Sequence, residues 1–139
     1  MKNLKILALI PARGNSKRIK NKNLRNLNGK PLIFWSIEAA KKSKYIKEIC
    51  VTSDSEAILK YAKKQTVKTV LRPKKLANDI VHAEEAMIHA YRSLSKKYDY
   101  VIMLQPTSPL RVTKHIDKAI EKIYSSKKDS LLSVCKNSC

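Results

Sequence analysis

The feature that most constrains the fold is an alternation. Strand-length apolar runs take turns with helical patterns along the whole chain. The runs are KILALI (5–10), IKEICVTS (46–53), VKTVLR (67–72), YVIMLQ (100–105) and SLLSVC (130–135). Each is rich in Val, Ile or Leu with few polar interruptions, as strands buried on both faces are. Between them, PLIFWSIEAAKKS (31–43) opens with Pro31 at a favourable first helical position. DSEAILKYAKKQ (54–65) offers Ser53 or Asp54 as its N-cap. HAEEAMIHAYRSLSKK (82–97) sets Ala86, Ile88 or His89, Ala90 and Leu94 near one face, and TKHIDKAIEKIYSSKK (113–128) spaces Ile116, Ala119, Ile120 and Ile123 on one stripe. The alternation predicts an α/β fold: a doubly wound, mostly parallel sheet of about five strands, covered on both faces. No repeat or Gly/Ser/Pro-rich linker divides it, so residues 1–139 read as a single domain.

In such sheets ligands bind beyond the carboxyl ends of the strands, where the strand order reverses. Two segments fall at such ends. PARGNSKRIKNKN (11–23) follows the first run, and QPTSPLR (105–111) follows the fourth. If the first and fourth strands are neighbours, both segments line one crevice.

Charge alone does not name a partner. The net charge is +19, from 30 basic and 11 acidic residues, but 24 of the 30 are lysines and aromatics make up only 6%. Nucleic-acid binders lean on arginine and on aromatic stacking. Scattered lysines are screened beyond about 8 Å at physiological salt. The composition therefore supports weak attraction to polyanions and no specific nucleic-acid function. No apolar run reaches the roughly 18 residues of a membrane span. The basic start and short apolar run of MKNLKILALIPARG lack a small-residue cleavage site, so they read as a buried strand and not a signal peptide. Cys50, Cys135 and Cys139 form no CxxC pair, which fits reduced thiols in a cytoplasm.

The loop at 11–23 carries five basic side chains around Gly14. It matches neither GxxxxGK[ST] nor GxGxxG. Arg13, Ser16, Lys17, Arg18, Lys20 and Lys22 supply enough donors for a triphosphate, since each charge-assisted hydrogen bond contributes roughly 1.5–3 kcal/mol. Gly14 would let the backbone approach closely. A plain basic connector between strand and helix is the equal alternative on pattern alone.

Three stretches shift that balance. IPARGNSKRIKNKNLRNLNGKPLIFWSIEAA resembles the N-terminal signature of the acylneuraminate cytidylyltransferases, the CMP-sialic acid synthetases and their bacterial relatives. LRPKKLAND (71–79) and LQPTSPLR (104–111) resemble that family's next two motifs, in order. The resemblance implies a Rossmann-like, nucleotide-diphospho-sugar-transferase-like domain that joins CTP to a nine-carbon acid sugar and releases pyrophosphate, with Mg²⁺ at the phosphates. By resemblance, Arg13, Ser16, Lys17 and Lys22 match triphosphate contacts, with Arg13 and Lys22 as the catalytic pair. Asn23 matches a nucleoside contact, Arg72 a cytidine-side contact and Gln105 a sugar contact. Arg18 and Lys20 read as background charge.

Other polar residues read as structural. His82, Glu85 and His89 share a helix face without a second ligand segment, so they predict no metal site. Asp54 and Asp79 read as capping or turn residues, Phe34 and Trp35 as core or subunit contacts, and Ser108 lacks the partners of a nucleophile. Two departures from the family stand out. Ile80-Val81-His82 replaces small hydroxyl residues after LAND. The family's later dimerisation segment and magnesium-binding Asp-x-Asp pair have no counterpart here, which predicts a C-terminally truncated nucleotide half. The competing expectations are a noncatalytic CTP-binding remnant and a basic nucleic-acid module.

Overall fold

A computed structural model describes residues 1, 3–77 and 83–134. Its main sheet has four strands: β1 (Ile6–Pro11), β4 (Ile46–Ser53), β5 (Lys68–Leu71) and β6 (Tyr100–Met103). They run in the order β5-β4-β1-β6, and every pairing is parallel. The order reverses between β1 and β6, so the first and fourth apolar runs are neighbours. Ile6 pairs with Tyr100 and Leu9 with Met103.

The helices follow from that order. α1 (Leu32–Lys41) joins β1 to β4 and α2 (Glu56–Lys64) joins β4 to β5, both stepping one way across the sheet. α3 (Ala83–Ser93) joins β5 to β6 and must step back. With right-handed crossovers, the reversal puts α3 on the opposite face. α4 (Thr113–Ser126) follows β6 and returns to the first face. Alternate side chains of β1 serve the two layers. Ile6, Ala8 and Ile10 pack with Ile33, Ile37, Ile58, Ile116 and Ile120, whereas Leu7 and Leu9 pack with Cys50 and Ala90 under α3. β1 is thus fully covered, and each large aliphatic side chain it buries contributes roughly 1.5–3 kcal/mol.

Several expectations change in detail. Among the described residues the main sheet has four strands, where about five were expected. Residues 130–134 of the expected fifth strand carry no regular structure, and Cys135 lies outside the described residues. Leu132 and Val134 are 84% and 81% exposed, so no helix covers them as a central strand would need. Pro31 is the N-cap of α1 and not its first residue. Ser55 caps α2, its Oγ accepting from the Ile58 amide, in place of Ser53 or Asp54.

A small hairpin also appears ahead of α1. β2 (Asn26–Leu27) and β3 (Lys30–Pro31) pair antiparallel around Asn28 and Gly29, whose φ angles are 53° and 86°. An Asn-Gly pair with both φ positive suits the tight turn that matches strand twist. Asn26 Oδ1 accepts from the Gly29 amide at 3.0 Å, and Trp35 Nε1 donates to the Leu27 carbonyl at 3.1 Å. Among the described residues no helix is long and apolar enough to cross a membrane.

Candidate nucleotide-binding cleft

Four loops leave the carboxyl ends of the four parallel strands. Each delivers a polar residue within two positions of its strand: Arg13 after β1, Asp54 after β4, Arg72 after β5 and Gln105 after β6. A cleft of about 310 Å³ lies at this edge, within the usual range of small-molecule sites. Arg13, Ser16, Lys22, Asn23, Arg72 and Gln105 line it, with Pro11, Ala83, Pro106 and Thr107. Six of the seven residues singled out in the sequence therefore meet in one place. Lys17, Arg18 and Lys20 are exposed on the loop and do not line the cleft.

The loop after β1 is held by its backbone. The Ala12 amide donates to the Thr52 carbonyl at 2.9 Å. The Arg13 carbonyl accepts from Asn23 Nδ2 at 3.0 Å, and the Gly14 amide donates to Asp54 Oδ1 at 2.8 Å. Asn23 itself is 94% buried, its exposure being 6%. Asn21 turns the chain back with φ 52°, a left-handed conformation that asparagine tolerates. Gly14 matters here for packing. A Cβ at this position would lie 2.8 Å from Ser55 Cβ. The closest approach is to the loop after β4, a reason that the sequence did not reveal.

Arg72 forms the floor. It is 6% exposed, and its Nη2 donates to the Thr52 carbonyl at 3.2 Å. Its Nε and the Thr52 hydroxyl have no hydrogen-bond partner among the described residues. Burial lowers its pKa; Arg13 pushes the same way and Asp54 opposes both. A guanidinium stays charged even so. The site thus holds a desolvated cation with unused donor capacity, which favours an anionic or carbonyl-bearing ligand.

The Gln105 backbone is anchored at its carbonyl. Its carbonyl accepts from Ser36 Oγ at 3.4 Å and from Arg111 Nη2 at 3.2 Å. Arg111 is half-buried, which lowers its pKa, and its bond to the Gln105 carbonyl braces the loop 105–111. Pro106 and Thr107 line the cleft beside Gln105; both lie in the quoted QPTSPLR, but nothing in their residue types flagged them. Asp79 and Ile80-Val81-His82 lie outside the described residues, as does the His82 end of the His82/Glu85/His89 face.

The residues present do not make a metal site. No group of three His, Cys, Asp or Glu side chains converges among the described residues. The carboxylate nearest the loop, Asp54, spends Oδ1 on the Gly14 amide. Mg²⁺ prefers near-octahedral oxygen coordination, and beside a nucleotide it takes most of it from water and phosphate with only one or two carboxylates.

A cleft lined by Arg13, Lys22 and Arg72 lies at the switch point of this doubly wound sheet, where α/β folds of this class bind their ligands. The chain belongs to the cytidylyltransferase family, whose sequence profile matches residues 7–137. It is 41% identical over 122 residues to the N-acylneuraminate cytidylyltransferase of Escherichia coli, covering 88% of this chain and 29% of that one. It is 39% identical over 122 residues to the CMP-N,N'-diacetyllegionaminic acid synthase of Legionella pneumophila, covering 85% of this chain and 53% of that one. A solved CMP:2-keto-3-deoxy-manno-octonic acid synthetase complexed with CTP shares the fold, with a TM-score of 0.77 at 21% identity over 88% of this chain and 48% of that one. The chain spans about half or less of the length of these proteins.

Proposed function

We propose that this chain is the nucleotide half of an enzyme that transfers CMP from CTP to an acidic sugar of the sialic acid type. The observation that carries the reading is the convergence of Arg13, Ser16, Lys22, Asn23, Arg72 and Gln105 on one cleft. In the proposed reaction a sugar hydroxyl oxygen attacks the α-phosphorus and gives up its proton to solvent water. The bond to the β-phosphate oxygen breaks, and pyrophosphate leaves with that electron pair. Arg13 and Lys22 neutralise charge on the phosphates, Ser16 donates to them, Asn23 and Arg72 serve the nucleoside side, and Gln105 faces the sugar. Positioning and charge stabilisation carry such a transfer. Lys17 contributes at longer range from its exposed place on the loop.

Magnesium belongs to the proposal as a companion of the triphosphate. No group of three metal-ligating side chains converges among the described residues, so in this proposal phosphate and water oxygens supply most of its coordination, joined by carboxylates outside those residues. A cytoplasmic location completes the proposal, while the homodimer expected of the family would need the segment that has no counterpart in these residues; Cys50 fits that location as a buried thiol whose pKa is pushed up to about 12 by burial. The chemistry of the relatives, which act on different acid sugars by name, supports the substrate class and leaves the individual sugar open.

The test is calorimetric titration of residues 1–139 with CTP, ATP and a single-stranded oligonucleotide over a series of salt concentrations. The proposal predicts a preference for CTP with a modest salt slope. Tighter oligonucleotide binding with a steep salt slope would replace it with the nucleic-acid module. Incubation with CTP, Mg²⁺ and sialic, legionaminic or pseudaminic acid should give CTP binding without turnover. Turnover would overturn the need for further carboxylates.

A further inference from the structure

The Arg13–Gly14 peptide is gripped at both ends. Its carbonyl oxygen accepts from Asn23 Nδ2 at 3.0 Å, and its N–H donates to Asp54 Oδ1 at 2.8 Å. These two atoms belong to one planar unit, so the two bonds together fix the plane's rotation. The side chain that leaves this unit on its amino side is Arg13, which lines the cleft. Asp54 reaches the loop from the end of β4, 40 residues away in sequence. Its backbone is placed by the neighbouring turn, where Ser53 Oγ accepts from the Ser55 amide at 3.0 Å. Asp54 is not needed as a helix cap, because Ser55 takes that role. It does not line the cleft either.

We propose that Asp54 is a positioning residue for nucleotide binding: its carboxylate orients the Arg13–Gly14 peptide and so aims Arg13 at the triphosphate. The proposal rests on the reading of the cleft as a CTP site. It makes an unusual prediction of sign. Asp54 is an anion close enough to Arg72 to oppose the lowering of its pKa. If Asp54 acted only through charge, removing it would make the cleft more positive, and CTP would bind more tightly. If it acts by orientation, removing it weakens CTP binding despite the gain in positive charge. Asp54→Asn separates the two, since the amide oxygen still accepts from Gly14 while the charge is gone.

The experiment is titration of CTP into the parent chain, Asp54→Ala and Asp54→Asn. Thermal unfolding and exchange of the Gly14 amide are followed by nuclear magnetic resonance on the same samples. A lost charge-assisted bond corresponds to about a tenfold change or more. Asp54→Ala should weaken CTP about tenfold and unprotect the Gly14 amide. Asp54→Asn should bind CTP within about threefold of the parent and keep the amide protected. Equal or tighter CTP binding by Asp54→Ala overturns the proposal, as does equal Gly14 protection in all three proteins. Equal weakening in both variants that follows their loss of melting temperature also overturns it, since it assigns Asp54 to stability alone. A parent chain that does not bind CTP refutes the CTP reading of the cleft instead. The Gly14 exchange then still decides whether Asp54 holds the loop.

Discussion

Gly14 and Ser55 touch across two loops, and the contact leaves no room for a methyl group. A Cβ on Gly14 would lie 2.8 Å from Ser55 Cβ and 3.5 Å from its Oγ. Overpacking of this kind costs about 1–3 kcal/mol. Gly14→Ala should therefore lower stability by about that amount in urea unfolding and weaken CTP binding with it. Ser55→Gly removes the obstructing atoms and, as a glycine N-cap, costs only a few tenths of a kcal/mol. The double variant should recover most of the loss. No recovery would mean that Gly14 is required for another reason.

Arg72 should be hard to replace. It is buried, bonds the Thr52 carbonyl, and keeps its Nε without a partner among the described residues. Arg72→Ala removes a desolvated cation from the cleft and should weaken CTP binding about 10- to 100-fold, the equivalent of one charge-assisted interaction. Arg72→Lys should not restore it. An ammonium cannot bond Thr52 and present a second donor edge as a planar guanidinium does. Titration calorimetry of both variants checks this.

Acid should loosen the opposite end of the sheet. Glu48 of β4 accepts from Lys68 at 2.8 Å, from Lys96 at 3.2 Å and from the Tyr98 hydroxyl. Burial by itself would raise its pKa, but the hydrogen bonds from Lys68, Tyr98 and Lys96 outweigh it and hold the carboxyl at about 2, against an ordinary 4.5. The folded value is the lower one, so the charged form favours folding. This contribution is complete above about pH 4.5 and fades as the pH falls toward about 2. In urea titrations across that window, Glu48→Gln should show a smaller loss of stability than the parent.

Much of the site was legible in the sequence for a physical reason. A parallel sheet writes its strands as uninterrupted apolar runs, and the residues just after them are where ligands bind. Arg13, Arg72 and Gln105 stand at such positions and line the cleft. The hairpin at 26–31 was missed although Asn28-Gly29 signals a tight turn, because its two-residue strands are too short to show a period. The sequence predicts a capping or turn role for Asp54. Its bond to Gly14 spans 40 residues, and no local pattern reports such a contact. The run at 130–135 has a strand's composition, but a strand also needs a covering layer, which composition cannot show.

The account depends most on one distinction, between donors aimed into the cleft and charge spread over the loop. Arg13 lines the cleft and Lys20 is exposed outside it. Both variants, Arg13→Ala and Lys20→Ala, lose one positive charge from the same loop. In CTP titrations at physiological salt, Arg13→Ala should weaken binding about tenfold or more, while Lys20→Ala should stay within about twofold of the parent. Equal losses in the two would show that the loop attracts CTP only as diffuse charge, and would contradict the cleft as a built nucleotide site.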